Sequence, residues 1–242
     1  YFKPCEEFKD RINIHMIRNY LKVAFRNMLK RKGFSLINIF GLATGMAVCL
    51  LIVLYVQSEL SYDEHHQKGN DIYRVALDRH YPGRTTSYAI IPQSYAGAFK
   101  TEFPEVAESV RIYNFGGNDN NFLLRIGDKV FEETSVLAAD SNFFRVFSSQ
   151  FIQGDPNTAL LQGNSVVLNE TTAKKYYGSV EAALGKTFQT DANQNNVFNI
   201  TGVIKDWPQN SHFDFDLLIS TTGFAFTRQV NFINFNPHTY LL

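Results

Sequence analysis

The chain has 242 residues, 45% hydrophobic, 14% aromatic and 19% charged. This composition excludes a disordered or collagen-like chain and leaves room for one or two domains with a sizeable core. Two Cys exclude a disulfide-dense scaffold and a cysteine-built zinc site. Net charge is zero, but residues 1–32 hold nine Lys/Arg against three Asp/Glu, while residues 33–242 hold 14 against 20. That asymmetry argues against a uniformly basic nucleic-acid binder.

Residues 1–15 follow no pattern, Cys5 among them reads as inert, and Met16 reads as the native start. Beyond it Ile17, Tyr20, Leu21, Ala24, Phe25, Met28 and Leu29 recur at helical spacing, with Arg18, Lys22, Arg26 and Lys30 on the other face. A basic amphipathic helix that leads into a membrane span is expected in the cytoplasmic interface, cations toward anionic headgroups. A solvated helix packed on a soluble domain is the competing reading. This gives residues 1–32 as a cytoplasmic segment.

From Gly33 to Ser58 no residue is charged, a run of 26 bounded by Lys32 and Glu59. About 20 apolar residues span the hydrocarbon core as a helix. The run exceeds a signal-peptide core, and no small-residue cleavage site follows it. Residues 33–58 are therefore expected to be one uncleaved transmembrane helix, with a buried core helix as the bland alternative. Arg18 through Lys32 precede it and Glu59, Asp63 and Glu64 follow, so the N-terminus is expected inside and residues 59–242 outside. Gly41 and Gly45 form a small-residue pair that suits close packing against another helix.

Residues 59–242 read as a mixed α+β domain. Strands are expected at 72–79, 108–115, 122–126, 130–137, 165–168 and 197–204. Helices are expected at 94–103, 141–147 and 170–177, the last capped by Asn169 and closed by Gly178. Segments 116–121 and 191–196 read as turns. Asp214 and Asp216 alternate with Phe213, Phe215 and Leu217, the pattern of a strand with one polar face.

No chemistry stands out. His65-His66 after Asp63-Glu64 reads as a solvated charge cluster, because neighbouring side chains point apart and seldom chelate one ion. His80, His212 and His238 have no companion at ligand spacing, and there is no H-E-x-x-H, nucleophile elbow or P-loop. Cys49 lies within the span. Asp206-Trp-Pro-Gln-Asn-Ser-His212 reads as a turn between two core strands, with a binding loop as the alternative. No catalytic, cofactor-binding or metal-binding residue is assigned, and no deep polar pocket is expected.

Several segments together resemble one family. Met16 through Met46, Glu59-Leu-Ser-Tyr-Asp-Glu-His-His66, Asp71-Ile-Tyr-Arg-Val75, Phe143-Phe-Arg-Val-Phe147, Gly154-Asp-Pro156, Val167 through Gly178, Leu184-Gly-Lys186 and Thr201 through His212 are similar to the opening of ABC-transporter permeases of the macrolide-exporter (MacB-like) and FtsX-like type. The resemblance runs from about Met16 to Ser220. It implies a bacterial inner-membrane permease subunit, with the N-terminus cytoplasmic and residues 59–242 a periplasmic core domain. It implies partners: a separate cytoplasmic ATPase that holds ATP and Mg, a second permease copy, membrane lipid and a periplasmic adaptor or substrate protein. No cofactor is expected in this chain and no enzymatic activity. Such permeases carry at least three further spans, so the chain reads as a fragment, with strands near Phe224–Phe235 expected to lack partners. A single-pass sensor with an extracytoplasmic ligand-binding domain is the alternative, and an anchored periplasmic enzyme a third.

Overall fold

The 26 uncharged residues fall inside one helix, α2 (Lys32–Leu60), 29 residues long. At about 1.5 Å per residue it reaches roughly 43 Å, enough to cross the hydrocarbon core with tilt. None of its side chains is buried against protein, and it is the one helix among the described residues long and apolar enough to cross a membrane. It follows α1 (Cys5–Lys30) with Arg31 between them. The helical backbone of α1 thus extends well upstream of Met16, into the segment that showed no sequence pattern. Tyr20, Leu21, Phe25, Met28 and Leu29 are all exposed.

The computed structural model describes residues 5–116, 121–190, 193–208 and 210–242. The chain divides into two units, residues 1–60 and 61–242. The second is built on an 11-stranded sheet in the order β1-β13-β4-β7-β12-β9-β11-β10-β5-β6, with β8 added beside β11. The strands are β1 (Tyr73–Arg74), β4 (Ser109–Asn114), β5 (Phe122–Ile126), β6 (Lys129–Glu133), β7 (Val136–Ala139), β8 (Phe151–Gly154), β9 (Ser165–Asn169), β10 (Thr187–Thr190), β11 (Asn193–Ile204), β12 (Leu217–Ser220) and β13 (His238–Leu241). β9 with β11 and β7 with β12 run parallel, and the other pairs run antiparallel. A separate hairpin joins β2 (Leu77–Tyr81) to β3 (Arg84–Tyr88).

The central strands β9 and β12 are buried at every position and mostly apolar because both sheet faces are covered. In β12, Leu217 and Ile219 point into one core and Leu218 into the other; Val166, Leu168 and Val167 of β9 divide likewise. The first core lies under α5 (Glu170–Tyr177) and α6 (Val180–Ala183), through Ala173, Val180 and Ala183. The second lies under α4 (Phe143–Val146), through Phe143, Val146 and Phe147 with Phe213, Phe215 and Tyr240. α3 (Ser94–Glu102) rests along β4, its Ala96 carbonyl accepting from Ser109 Oγ at 2.6 Å.

Helix α5 has the bounds and both caps read from its sequence. Asn169 Oδ1 accepts from the Thr172 N–H at 2.7 Å, and Gly178 closes the helix at a φ of 83°. Three expectations are corrected. The expected strand 130–137 is two strands, β6 at the sheet edge and β7 in its centre; a side chain at Gly116 would overlap the Thr134 carbonyl at the break between them. The expected strand 72–79 likewise divides into β1 and β2. Residues 224–235 form no unpaired strands. They hold a 3-10 turn, Ala225–Arg228, tied by Gln93 Nε2 to the Phe226 and Gln229 carbonyls, and a bridge from Phe235 to Pro92. The strand that follows, β13, is paired on both sides. Residues 117–120 and 191–192 of the two expected turns lie outside the described residues.

Candidate functional site

The segment just after α2 is stitched into one end of the sheet domain. Asp63 N–H donates to the Asn210 carbonyl at 2.9 Å, and Asn210 Nδ2 donates to the Ser61 carbonyl at 2.8 Å. Asp63 Oδ1 accepts from His212 N–H at 2.7 Å and from Ser211 Oγ at 3.2 Å. Asp63 has a φ of 60°, the left-handed region, and no other non-glycine residue described has a positive φ. Asp tolerates that region better than most residues because its short side chain bonds locally.

On the next turn His66 Nδ1 accepts from the Ser148 N–H at 3.2 Å, Ser148 Oγ accepts from Gln67 N–H at 3.0 Å, and Lys68 Nζ reaches the Arg145 carbonyl at 3.1 Å. Residues 61–68 are thus held by the end of α4 with the loop after it, 145–150, and by the loop 205–216 between β11 and β12. The two imidazoles lie against one another, ring centres 4.0 Å apart, and against Trp207 at 5.4 and 5.7 Å. Phe147 and Phe213 complete the wall around His66, which is only 7% exposed. The pair is therefore packed into the fold rather than solvated, which corrects the sequence reading.

His212 and His238 also gather here. Arg74, on β1, donates to the Ala89 carbonyl at 3.4 Å and lies 3.2 Å from His212 Nε2 and 2.7 Å from His238 Nδ1, a nitrogen that is also 3.1 Å from the Ala89 carbonyl. Two cavities flank the histidines. One of about 270 Å³ lies beside His65, Ser149, Lys205 and Trp207. The other, about 230 Å³, lies among Asp63, His66, Arg74, His212 and Tyr240. His80 sits apart on the hairpin, bonded to Thr85 at 2.9 Å.

Burial lowers the His66 pKa to about 4, helped by the nearby His65 and opposed by Asp63. Burial likewise lowers His65 and His238. The ligand atoms of Asp63, His65 and His66 lie within 4.8 Å of one another, yet the arrangement does not make a metal centre. The Ser148 N–H occupies the lone pair on His66 Nδ1, so the neutral ring carries its proton on Nε2 and offers a cation nothing there. Asp63 and His65 alone fall short of the three or four protein ligands that zinc takes. Nor is a nucleophile held against one of these bases: the described contacts of Ser148 are to backbone and ring nitrogen.

Other polar contacts are structural. Arg111 makes a two-pronged pair with Asp140 at 2.8 and 3.0 Å, and Thr221 Oγ1 donates to the same carboxylate at 2.7 Å. Asp206 accepts from Thr171 N–H and Oγ1 at 3.0 and 2.7 Å, so it caps the first turn of α5. Asp216 accepts from Asn169 and Thr172, and Asp214 is exposed, so these two acids do not form a pair. Cys49 is an exposed residue of α2. The side chains of Cys5 and Gln209 lie outside the described residues.

The sequence profile of the MacB-like periplasmic core domain matches residues 35–239. Among solved structures, a domain assigned to a permease protein from Porphyromonas gingivalis is similar at 22% identity and a TM-score of 0.61, over 73% of this chain and 76% of that one. The periplasmic region of MacB from Actinobacillus actinomycetemcomitans matches at 17% identity and 0.44, over 62% and 64%. The extracellular domain of the noncanonic ABC-type transporter YknZ from Gram-positive bacteria matches at 13% and 0.44, over 63% and 73%. Only the first of the three is close enough to speak to the fold. No curated protein sequence matches the chain.

Proposed function

This chain belongs to the MacB-like periplasmic core domain family, and on that footing we propose that it serves as the permease subunit of an ABC-type transporter. One observation carries the reading: the family match begins at residue 35, inside α2, and runs through the sheet domain, so an apolar helix and this core domain form a single family unit. In this reading α2 crosses the inner membrane with its basic flank, Arg18 through Lys32, in the cytoplasm. α1 lies in the interface with Leu21, Phe25 and Leu29 toward the acyl chains. Residues 61–242 work in the periplasm.

A separate cytoplasmic ATPase supplies the energy and holds ATP and Mg, and a second permease copy completes the membrane unit. The helix passes movement to the sheet domain, which acts on an exported substrate or a periplasmic partner without making or breaking bonds. The stitched segment 61–68 suits this role, since it leaves eight residues after α2 with little slack.

Purification of the protein from its native membranes in mild detergent tests the reading. An ABC ATPase is expected to copurify, with ATP hydrolysis that depends on both proteins. A protein recovered repeatedly with no nucleotide-hydrolysing partner would count against it.

A further inference from the structure

We propose that the His66 anchor is an acid-sensitive latch: proton uptake by its imidazole releases residues 61–68 from the end of the sheet domain while the sheet stays folded. This goes beyond the permease reading and stands on the domain's own geometry, so either can fail without the other.

The latch is one bond and its surroundings. His66 Nδ1 accepts from the Ser148 backbone N–H at 3.2 Å. A protonated imidazole has a hydrogen on both nitrogens. Protonation therefore replaces an acceptor with a donor that faces another donor, and the bond cannot survive it. The latch and the imidazolium exclude each other whatever the exact pKa.

The pocket offers the cation little else. His66 is nine-tenths buried, and its Nε2 has no hydrogen-bond partner in the protein. Its walls are the rings of Phe147, Trp207 and Phe213. The charged and titratable groups around it are Asp63 and His65 on its own segment, Arg74 on β1, His212 on the 205–216 loop and Tyr240 on β13. Lys205 and Asp206 lie on the side of His65. Arg74 opposes a new positive charge. Asp63 favours one, but its Oδ1 is already engaged by Ser211 and His212. Outside the pocket water solvates the cation fully, so acid drives the ring out.

The segment's other described ties lie on either side of this ring: Ser61 to Asn210, Asp63 to residues 210–212, Gln67 to Ser148, Lys68 to the Arg145 carbonyl. None of them belongs to the sheet ladders. Local release can therefore occur without loss of the core.

The sign follows from the lowered pKa. The latched state holds its ring neutral down to about pH 4, whereas a freed histidine takes its proton near 6.5. The latch is at full strength above pH 6.5 and weakens as pH falls toward 4. The ratio of released to latched molecules rises about tenfold per pH unit in that window, on the order of a hundredfold over all of it.

Hydrogen exchange of the full chain in lipid nanodiscs, corrected for the intrinsic pH dependence, reads this directly. The Asp63 and Gln67 amides are expected to lose protection about tenfold per pH unit between 6.5 and 4, while amides of β9 and β12 stay protected. The emission of Trp207, the single Trp of the chain, should change reversibly over the same range. His66→Gln keeps an acceptor and cannot titrate, and His66→Phe keeps an aromatic ring; either variant should flatten the profile. A flat wild-type profile overturns the proposal. So does a wild-type slope retained in the variants, or loss of β9 and β12 protection in step with the segment. Should neither variant keep β9 protected, that too counts against it, because the latch would then be part of what holds the sheet.

Discussion

Asp63 combines a backbone requirement with a side-chain one. Its φ of 60° disfavours most side chains, and its carboxylate holds the 210–212 turn. Asp63→Asn keeps a residue tolerant of that conformation and keeps an oxygen acceptor. Asp63→Ala loses the acceptor and adds the strain. We expect Asp63→Ala to lower domain stability by about 2 kcal/mol and Asp63→Asn by about half as much, read from urea midpoints. Equal losses would show that neither the acceptor that Asn keeps nor its tolerance of this conformation contributes. None of this was visible in the sequence, where Asp63, His65 and His66 looked like charges beside a membrane. Their partners lie 82 to 149 residues away. The clue at hand was Trp207 in a loop with His212, but only the packed fold says which ring meets which.

At the scale of elements, local signals succeeded where the chain caps itself. Helix α5 was legible because Asn169 and Gly178 act within their own turn. Asn169 does more than cap: its Nδ2 also reaches the Phe215 carbonyl and Asp216, which ties α5 to the approach of β12. Asn169→Ala should therefore cost about 2 kcal/mol, above the usual cap, and Gly178→Ala about 1 kcal/mol, both measured by thermal unfolding. A smaller loss for Asn169→Ala than for Gly178→Ala would remove the link to β12. Strand reading was less secure. Leu217–Ser220 begins just after the alternating Phe213–Asp216 approach, and the exposed pattern of β3 and the short β8, β10 and β13 carry too little apolar periodicity to stand out. The split of 130–137 depends on β7 taking a central place between β4 and β12, a long-range choice with no local mark.

For the whole molecule, the charge asymmetry, the long apolar helix and the family match point the same way. A sheet buried on both faces at its centre and a fully exposed apolar helix call for different solvents, one aqueous and one lipid. That contrast explains how a slightly negative mean hydropathy coexists with a helix long and apolar enough to cross a membrane. The decisive measurement is protease digestion of intact spheroplasts that express the full chain, with antibodies against each end. Residues 61–242 should be cut from outside while an epitope at the N-terminus survives until the membrane is broken. Survival of the sheet domain in intact spheroplasts, or recovery of the whole protein in the soluble fraction, would refute the proposed topology and the permease role built on it.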